Sequence, residues 1–173
     1  LDDPRGREVV VKTKAAGMCH SDEHVVTGDM PTPHFPIIGG HEGAGIVEAV
    51  GPEVTTVAVG DHVAMSFMPS CGRCPSCVKG QSYICDEGAK LFNTGMMGDD
   101  RMAHKIGDTA AARMTQLGTF ADHMLLSEDS VVKVADDIPF PQAALVSCGV
   151  ATGYNSAVSR ADTQPGDTVV VIG

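Results

Sequence analysis

The chain has 173 residues, of which 43% are hydrophobic but only 4% are aromatic, with no Trp. This length suits one domain, or one domain and part of another, with a core of aliphatic side chains and Met. The net charge of −10, from 12 basic and 22 acidic residues, argues against nucleic acid or an anionic membrane as a partner. We also find no apolar run that approaches the roughly 20 residues of a membrane-spanning helix.

Short strands separated by turns dominate the predicted secondary structure. Twenty Gly and ten Pro favour turns over long helices. Strands are predicted over residues 8–15, 46–51, 54–59, 62–67, 118–126 and 131–134. The strands 54–59 and 62–67 are expected to form a hairpin across Gly60 and Asp61. Short strands at this spacing indicate a mainly β fold, either a small barrel or a sandwich.

Polar groups crowd the first helical segment, residues 17–24 (Gly-Met-Cys-His-Ser-Asp-Glu-His). A thiol, two imidazoles, a hydroxyl and two carboxylates are poor core material, because each needs a partner once water is removed. The pattern predicts a turn that passes into a helix, with Ser21 or Asp22 as its N-cap and Gly28 at its end. Cys19 then lies at the mouth of the turn, where it can serve as a metal ligand.

The remaining segments are a region without clear hydrophobic periodicity and a helical C-terminal part. Residues 87–117 mix Gly, charge and Met, and we expect a solvated excursion there, with a lid or an oligomer contact as alternatives. Residues 139–162 predict two helical pieces with Cys148 and Gly149 between them. Residues 166–173 predict a turn and a buried parallel strand, as at the start of a doubly wound nucleotide-binding domain. We therefore interpret the chain as a piece of a longer protein.

Four cysteines form the strongest motif in the chain, Cys71-x2-Cys74-x2-Cys77-x7-Cys85. Four thiolates at this spacing can close a tetrahedral shell, which leaves no open position and indicates a structural zinc. Disulfides, a redox pair and an iron–sulfur cluster are the alternatives. Three cysteines within seven positions suit one ion better than disulfides, and the spacing departs from the ferredoxin patterns. Zinc is therefore the prediction, since thiolates select it.

Cys19 and Cys148 remain outside this motif, and His41 lies in a glycine-rich turn beside Glu42. A lone Cys is more often a small buried hydrophobe than a ligand. Together, however, two thiols and one imidazole from separate turn regions make a Cys2His set, with a fourth position left for water or substrate. We predict that these three side chains meet at one catalytic zinc.

The motifs together resemble the catalytic domain of zinc-dependent medium-chain alcohol dehydrogenases. The stretches that carry the resemblance, in the family's order, are residues 17–22, residues 40–45 with Gly51, the four-cysteine motif and residues 148–153. The sequences of 18–22 and 69–77 look most like actinobacterial members that keep their nicotinamide cofactor bound. The resemblance implies a GroES-like barrel with short helices over 1–149, lacking its N-terminal strand. It also implies the start of a truncated Rossmann α/β cofactor domain over 150–173.

By this resemblance, each candidate residue has an expected role. The catalytic zinc would bind Cys19, His41 and Cys148, and the structural zinc would bind the four clustered cysteines. Asp22 would orient the histidine ligand, and Glu42 would lie behind the metal. The other expected roles are a proton relay through Ser21 and His24, a cofactor-phosphate contact at His20, a nicotinamide contact at Thr152 and a wall of the substrate pocket at Phe67. For the two helix histidines, a simple exposed side chain remains the alternative.

The implied function is zinc-dependent hydride transfer between a primary or secondary alcohol and NAD, in a cytoplasmic homo-oligomer with two zinc ions per chain. The alternatives are a thiol-dependent formaldehyde dehydrogenase of the same family and a non-catalytic, zinc-stabilised binding module. A zinc hydrolase is disfavoured, because the acidic residues of 20–24 are out of step with H-E-x-x-H. Asn155 stands where the family usually has Gly, but Asn tolerates left-handed backbone. Without the nicotinamide pocket, we expect this chain alone to be inactive.

Overall fold

Alternating apolar and polar side chains build a β framework around the predicted N-terminal strand. The computed structural model describes residues 1–172; Gly173, the last residue of the predicted C-terminal strand, lies outside that range. The described strands are β1 (Glu8–Gly17), β2 (Ile37–Ile38), β3 (Glu42–Val50), β4 (His62–Met65), β5 (His104–Ile106), β6 (Thr109–Arg113), β7 (His123–Ser127) and β8 (Val131–Lys133). The described α-helices are α1 (His20–Thr27), α2 (Pro75–Val78), α3 (Asp86–Thr94), α4 (Phe140–Leu145) and α5 (Ala151–Tyr154). Short 3-10 turns lie at Ser82–Ile84, Met114–Gln116 and Glu128–Ser130, and π-helical turns lie at Val146–Val150 and Asn155–Arg160.

The larger sheet has the strand order β7-β1-β3-β4-β8 in the described chain, and its pairings are antiparallel. Its core consists of aliphatic and Met side chains, as predicted: Val9, Val11, Val47, Val63, Met65, Leu117, Met124, Leu126 and Val131. Burying a large aliphatic side chain is worth about 1.5–3 kcal/mol, so this cluster is a main source of stability. The β1–β3 register sets Gly17 opposite Glu42. Residues that follow β1 and residues that precede β3 therefore emerge at the same edge of the sheet.

Residues 87–117 do not form the solvated excursion that their irregular sequence predicts, since they pack into the fold. They contain most of α3 together with β5 and β6, which join β2 in a second sheet of the described chain. Met97, Met114 and Leu117 are each at most 3% exposed. Met97 and Met114 are therefore core residues, and the mainly β prediction with short helices is confirmed.

Two buried polar side chains attach the second sheet to β7. The His104 ring accepts a hydrogen bond from the Leu125 amide at 3.2 Å, and the Arg113 guanidinium donates one to the Leu125 carbonyl at 2.6 Å. Burial lowers the pKa of His104 to about 3, and the charge of Arg113 adds to the effect. The ring is therefore neutral at neutral pH and can accept the amide. Hydrophobic periodicity carries no signal of such polar attachments, which explains the wrong prediction.

The predicted hairpin is also wrong, because residues 54–59 form a loop and β4 alone is a strand. Glu128 accepts hydrogen bonds from the amides of Thr55 and Thr56 at 3.0 and 3.1 Å, and one from the Thr56 hydroxyl at 2.8 Å. Arg7 Nε lies 2.9 Å from the other oxygen of this buried carboxylate. Backbone amides that bind a carboxylate are not free to form a strand ladder, so a loop replaces the strand.

The C-terminal helical part is continuous instead of broken into two pieces, and Cys148 lies within its first π-helical turn. Asn155 has φ −68°, so this position needs no left-handed backbone. The strand predicted over 167–172 is not formed, because no strand of the described chain pairs with it and residues 169–172 are 55–93% exposed. Within residues 1–172, no helix has the length and apolarity that crossing a membrane requires.

Replacing Glu128 with Gln should destabilise the protein by about 2 kcal/mol, because hydrogen bonds to a charged group contribute about 1.5–3 kcal/mol. Burial raises the pKa of Glu128, but its hydrogen bonds to Thr55 and Thr56 and the charge of Arg7 bring that pKa below its usual value. This contribution is therefore complete above about pH 4.3 and is lost as the pH falls through the lowered pKa of the folded state. Urea unfolding at several pH values checks this, with the exposed Glu53→Gln as control; equal loss in both variants contradicts it.

Candidate metal centres

Helix α1 begins directly after Cys19, which is its N-cap with φ −129° and ψ 178°. The Cys19 amide donates to Asp22 Oδ2 at 3.0 Å, so a carboxylate in the first helical turn closes the helix start. The prediction of Ser21 or Asp22 as the N-cap is wrong, since the helix starts earlier. Gly28 ends the helix with a left-handed φ of 84°, as predicted. The Cys19 thiol thus lies at the N-terminus of α1.

His41 precedes β3 and is almost fully buried, at 2% exposure. Asp22 Oδ1 lies 3.3 Å from His41 Nδ1 and accepts the Gly40 amide at 3.1 Å. A carboxylate at Nδ1 favours the tautomer that carries its proton there, which leaves Nε2 free as a ligand atom. That Nε2 atom lies 3.2 Å from Cys19 Sγ. Asp22 therefore has the geometry of the histidine-orienting carboxylate that the resemblance implied.

Cys148, in the C-terminal helical part, is the third predicted ligand of the catalytic zinc. We call Cys19, His41 and Cys148 the trio. The ligand atoms of Cys19, His41 and Cys148 all lie within 4.8 Å of one another, so the structure brings the predicted set together. Burial raises the pKa of the Cys148 thiol, and the charges of Cys19 and Glu42 raise it further against a hydrogen bond from Thr152. Two thiols and a carboxylate this close together are mutually unfavourable as anions, and a cation between them would relieve the repulsion.

Glu42 lies between two of the segments that carry ligands. Its buried carboxylate accepts the Gly149 amide through Oε1 at 2.8 Å. On its other side the backbone of Gly17 approaches so closely that a Cβ there would lie 2.0 Å from Glu42 Oε2. A side chain at position 17 would therefore force the Glu42 carboxylate to move. Glu42 contacts residues within two positions of Cys19 and next to Cys148, and it directly follows His41.

The four clustered cysteines form a second, separate centre. The Sγ atoms of Cys71, Cys74, Cys77 and Cys85 lie within 4.8 Å of one another, and the cysteines are free thiols, so the disulfide alternative is wrong. The Cys77 amide donates to Cys74 Sγ at the N-terminus of α2, and the Cys71 amide donates to Cys85 Sγ, both at 3.4 Å. Burial and the neighbouring thiol of Cys74 raise the pKa of Cys77 to about 11. Without a cation, the cluster cannot hold four thiolates.

The helix histidines and their neighbours lie on the exposed side of α1. His24 Nδ1 lies 3.4 Å from Asp29 Oδ2, and His20 Nδ1 lies 3.1 Å from Glu23 Oε2. The two imidazole rings meet edge to face, with their centroids 4.6 Å apart. In the described chain, no direct hydrogen bond joins Ser21 to His24, so a relay between them needs a bridging group. Asp29 is a neighbour that the sequence motifs did not indicate, because it lies beyond the helix end.

The remaining predicted site residues lie beside the trio. The Phe67 ring stands edge-on to the His41 ring, with the centroids 5.7 Å apart. Thr152 Oγ1 lies 3.8 Å from Cys148 Sγ, one helical turn further along the chain. Both positions are therefore close to predicted metal ligands.

An open groove of about 1090 Å³ runs along α1 and exposes Cys19 on its wall. Its apolar lining comes from Met18 of the first motif and from residues that no motif indicated: Val25, Val26, Phe35, Ile37 and Phe120. Isolated apolar side chains are common on protein surfaces, so the sequence alone carried no signal for them. The groove thus gives a small molecule access to Cys19, the member of the trio that lines it.

A family model, the alcohol dehydrogenase GroES-like domain, matches residues 5–136 of this chain. That match covers well over half of the chain and includes His41 and all four clustered cysteines. The chain therefore belongs to the medium-chain alcohol dehydrogenase family and contains its GroES-like domain, as the motifs implied.

Individual relatives agree with this assignment. The chain is 50% identical over 173 residues to alcohol dehydrogenase B of Mycobacterium tuberculosis and 49% identical to the NDMA-dependent alcohol dehydrogenase of Amycolatopsis methanolica. These matches cover 100% of this chain but 46% of each relative, so the chain spans about half the length of the curated relatives it matches. The crystal structure of an alcohol dehydrogenase zinc-binding domain protein from Burkholderia ambifaria is similar, with a TM-score of 0.84 and 34% identity over 96% of this chain and 45% of that one.

Replacing Asp22 with Asn should weaken metal binding at the trio about 10–100-fold, because a carboxylate behind a histidine ligand typically contributes that much. The amide also offers a donor to the His41 ring, which disturbs its tautomer. Competition between the protein and a zinc chelator measures the change. The exposed carboxylate variant Asp29→Asn is the control, and equal zinc retention in the two variants would argue against the orienting role of Asp22.

Replacing Gly17 with Ala should destabilise the protein by about 1–3 kcal/mol, since the new methyl group overlaps the Glu42 carboxylate. Gly153 has open space where its Cβ would be and lies in helical backbone, so Gly153→Ala should leave stability unchanged or raise it slightly. Thermal unfolding of both variants makes the comparison. Similar stability of the two variants would show that Glu42 moves away at little cost.

Proposed function

We propose that this chain supplies the catalytic zinc site of an alcohol dehydrogenase, which transfers hydride between an alcohol and a nicotinamide cofactor. The observation that supports this most is that the ligand atoms of Cys19, His41 and Cys148 lie within 4.8 Å of one another. Two thiols and one imidazole are a set that suits zinc and leaves a fourth position for substrate. Membership of the alcohol dehydrogenase family supports the same reaction.

The donor set fits a divalent cation by its charge as well as its geometry. Burial raises the pKa of the Cys148 thiol, the charges of Cys19 and Glu42 raise it further, and a bound cation would offset both effects. Cys19 and Cys148 would bind as thiolates and His41 through Nε2, with Asp22 keeping the ring proton on Nδ1. Zinc held there supplies Lewis acidity, which makes the hydroxyl of an alcohol easier to deprotonate.

The four-cysteine centre fits a second zinc with a structural role. Its four thiols would occupy all positions of a tetrahedral ion, so no position is left for substrate. The segment contains only the short helix α2, a 3-10 turn and the start of α3. Such a segment has little core of its own, so we assign to this zinc the folding of residues 71–85.

Proton transfer is assigned to Ser21 and His24, which lie three residues apart on α1. The Ser21 hydroxyl would take the proton of the alcohol and pass its own proton towards His24 through a bridging group. The His24 side chain is 42% exposed, so it can release a proton to solvent. Because Asp29 faces Nδ1 of this ring, Nε2 is the nitrogen available for the exchange.

Cofactor and substrate contacts complete the proposal. The nicotinamide cofactor, NAD by family resemblance, supplies the hydride acceptor. His20 and Thr152 are exposed side chains, and we assign them to the phosphate and the nicotinamide. Phe67 and the apolar groove along α1 would contact the carbon chain of the alcohol. We also propose that residues 1–149 form the GroES-like domain and that 150–173 begin a cofactor domain.

Metal analysis separates this proposal from a binding module with a single structural ion. We expect two zinc ions per chain in the purified protein and one after Cys148→Ala, since the trio then lacks a ligand. Ser156→Ala, an exposed change in the same helical part, is the control and should keep both ions. One zinc per chain before the change, or two after it, would contradict the catalytic site.

Activity measurements test the reaction itself, in a complete protein that also carries its cofactor domain. With NAD and a primary alcohol, we expect turnover that falls about 100-fold or more in His24→Gln, because positioned acid–base groups contribute about 10²–10⁴-fold. The zinc content should not change in this variant. Oxidation of formaldehyde only in the presence of a thiol would identify the formaldehyde dehydrogenase alternative. A protein with two zinc ions that oxidises no alcohol would keep the fold and reject the function.

A further inference from the structure

Of the three trio side chains, that of Cys148 has the fewest contacts that fix its position. Its thiol is half-buried, and Thr152 Oγ1 lies 3.8 Å away, which is a weak contact. Cys19, by contrast, is fixed by a helix cap, and His41 is fixed by a buried carboxylate. The position of the Cys148 sulfur therefore depends on the backbone that carries it.

That backbone is attached to the sheet on both sides of Cys148. The hydroxyl of Ser147 donates to the carbonyl of Met65, the last residue of β4. The amide of Gly149 donates to Glu42 Oε1 at 2.8 Å. The residue before the ligand and the residue after it are thus each bonded to a different strand of the larger sheet.

Packing alone does not hold this part of the helix. Ala143 and Ala144 of α4 are buried against Ala44 and Ala64 of the sheet. Directly after them, side chains face solvent in the described chain: Leu145 is 46%, Val146 55% and Val150 52% exposed. Ser147 is half-buried within this exposed run.

The local helix geometry makes the backbone around Cys148 more dependent on the hydrogen bonds of Ser147 and Gly149 to the sheet. Residues 146–150 form a π-helical turn, which is rarer than an α-helical turn and is frequently found at functional sites. Such a turn needs support from outside the helix. The Ser147 hydroxyl also satisfies the end carbonyl of β4, which otherwise has to find another partner.

We propose that Ser147 is a positioning residue for the metal ligand Cys148, acting through its hydrogen bond to the Met65 carbonyl. This inference rests on the proposed function, because it assumes that the trio binds zinc. Ser147 touches neither substrate nor cofactor in this assignment. Its role is to hold the π-helical turn against β4, so that the Cys148 sulfur stays within reach of Cys19 and His41.

The test compares Ser147→Ala, Ser147→Thr and Ser159→Ala in the complete protein, either with zinc in both centres or with Co2+ exchanged into the trio alone while zinc stays in the four-cysteine centre. Ser147→Thr keeps the hydroxyl. Ser159→Ala removes a hydroxyl from the same helical part that donates only to the exposed Asn155. The readouts are the rate of zinc release to a chelator and the thiolate-to-cobalt absorption bands of the trio. Zinc content of the four-cysteine centre and circular dichroism report whether each variant is folded.

We expect Ser147→Ala to release the zinc of the trio about 10-fold faster, the lower end of the effect of groups that orient metal ligands, and to shift the cobalt bands. Ser147→Thr and Ser159→Ala should behave like the unchanged protein. Unchanged release and unchanged bands in Ser147→Ala would overturn the proposal. It would equally be overturned if Ser147→Thr lost zinc like Ser147→Ala, or if Ser159→Ala did so.

A separate variant distinguishes failure of this inference from failure of the proposed function. Cys148→Ala should abolish the cobalt bands of the trio whatever Ser147 does. If the bands persist in Cys148→Ala, the assignment of the catalytic site is wrong. If they disappear there but remain unchanged in Ser147→Ala, the site stands and only the positioning role of Ser147 is rejected.

Discussion

The carboxylate of Asp22 is the interaction on which the candidate catalytic centre depends. It accepts the amides of Cys19 and Gly40 and faces Nδ1 of His41 at 3.3 Å. These three groups use most of the acceptor capacity of one carboxylate, which compensates the cost of burying its charge. The same side chain caps the start of α1 and binds the backbone before β3. It therefore fixes the positions of Cys19 and His41 relative to each other.

The larger sheet sets the positions at which this carboxylate can act. The β1–β3 register places Gly17 opposite Glu42, so the chain leaves β1 towards Cys19 at the edge where it enters β3 after His41. The third ligand comes from a helix that crosses the same edge, attached by Ser147 and Gly149 on either side of Cys148. Each ligand is thus held through backbone or buried polar contacts. A metal bound by all three would link these segments and stabilise their arrangement.

Buried polar contacts also explain where sequence patterns led to wrong expectations. Residues 54–59 have a strand-like composition, yet Glu128 binds the amides that a strand ladder would need. Residues 87–117 lack a period because their burial depends on His104 and Arg113, whose bonds to Leu125 attach a second sheet. Periodicity reports only the apolar part of burial. Segments held by polar contacts are therefore predicted wrongly: a solvated excursion is expected over residues 87–117, and a strand is expected over residues 54–59.

The sequence alone determined the family, the mainly β class, the four-cysteine centre and the identity of the trio, because thiols and imidazoles at these positions are a chemical signature that needs no coordinates. The four cysteines lie within 15 residues, so their convergence is local. Only the tertiary structure decided that Cys19, His41 and Cys148 meet, that the N-cap is Cys19, that Cys148 lies within a continuous helix and that Ser147 attaches that helix to β4. The meeting of the trio and the attachment of Ser147 depend on contacts between residues far apart in sequence, whose distances are set by strand register and buried hydrogen bonds that no local pattern encodes.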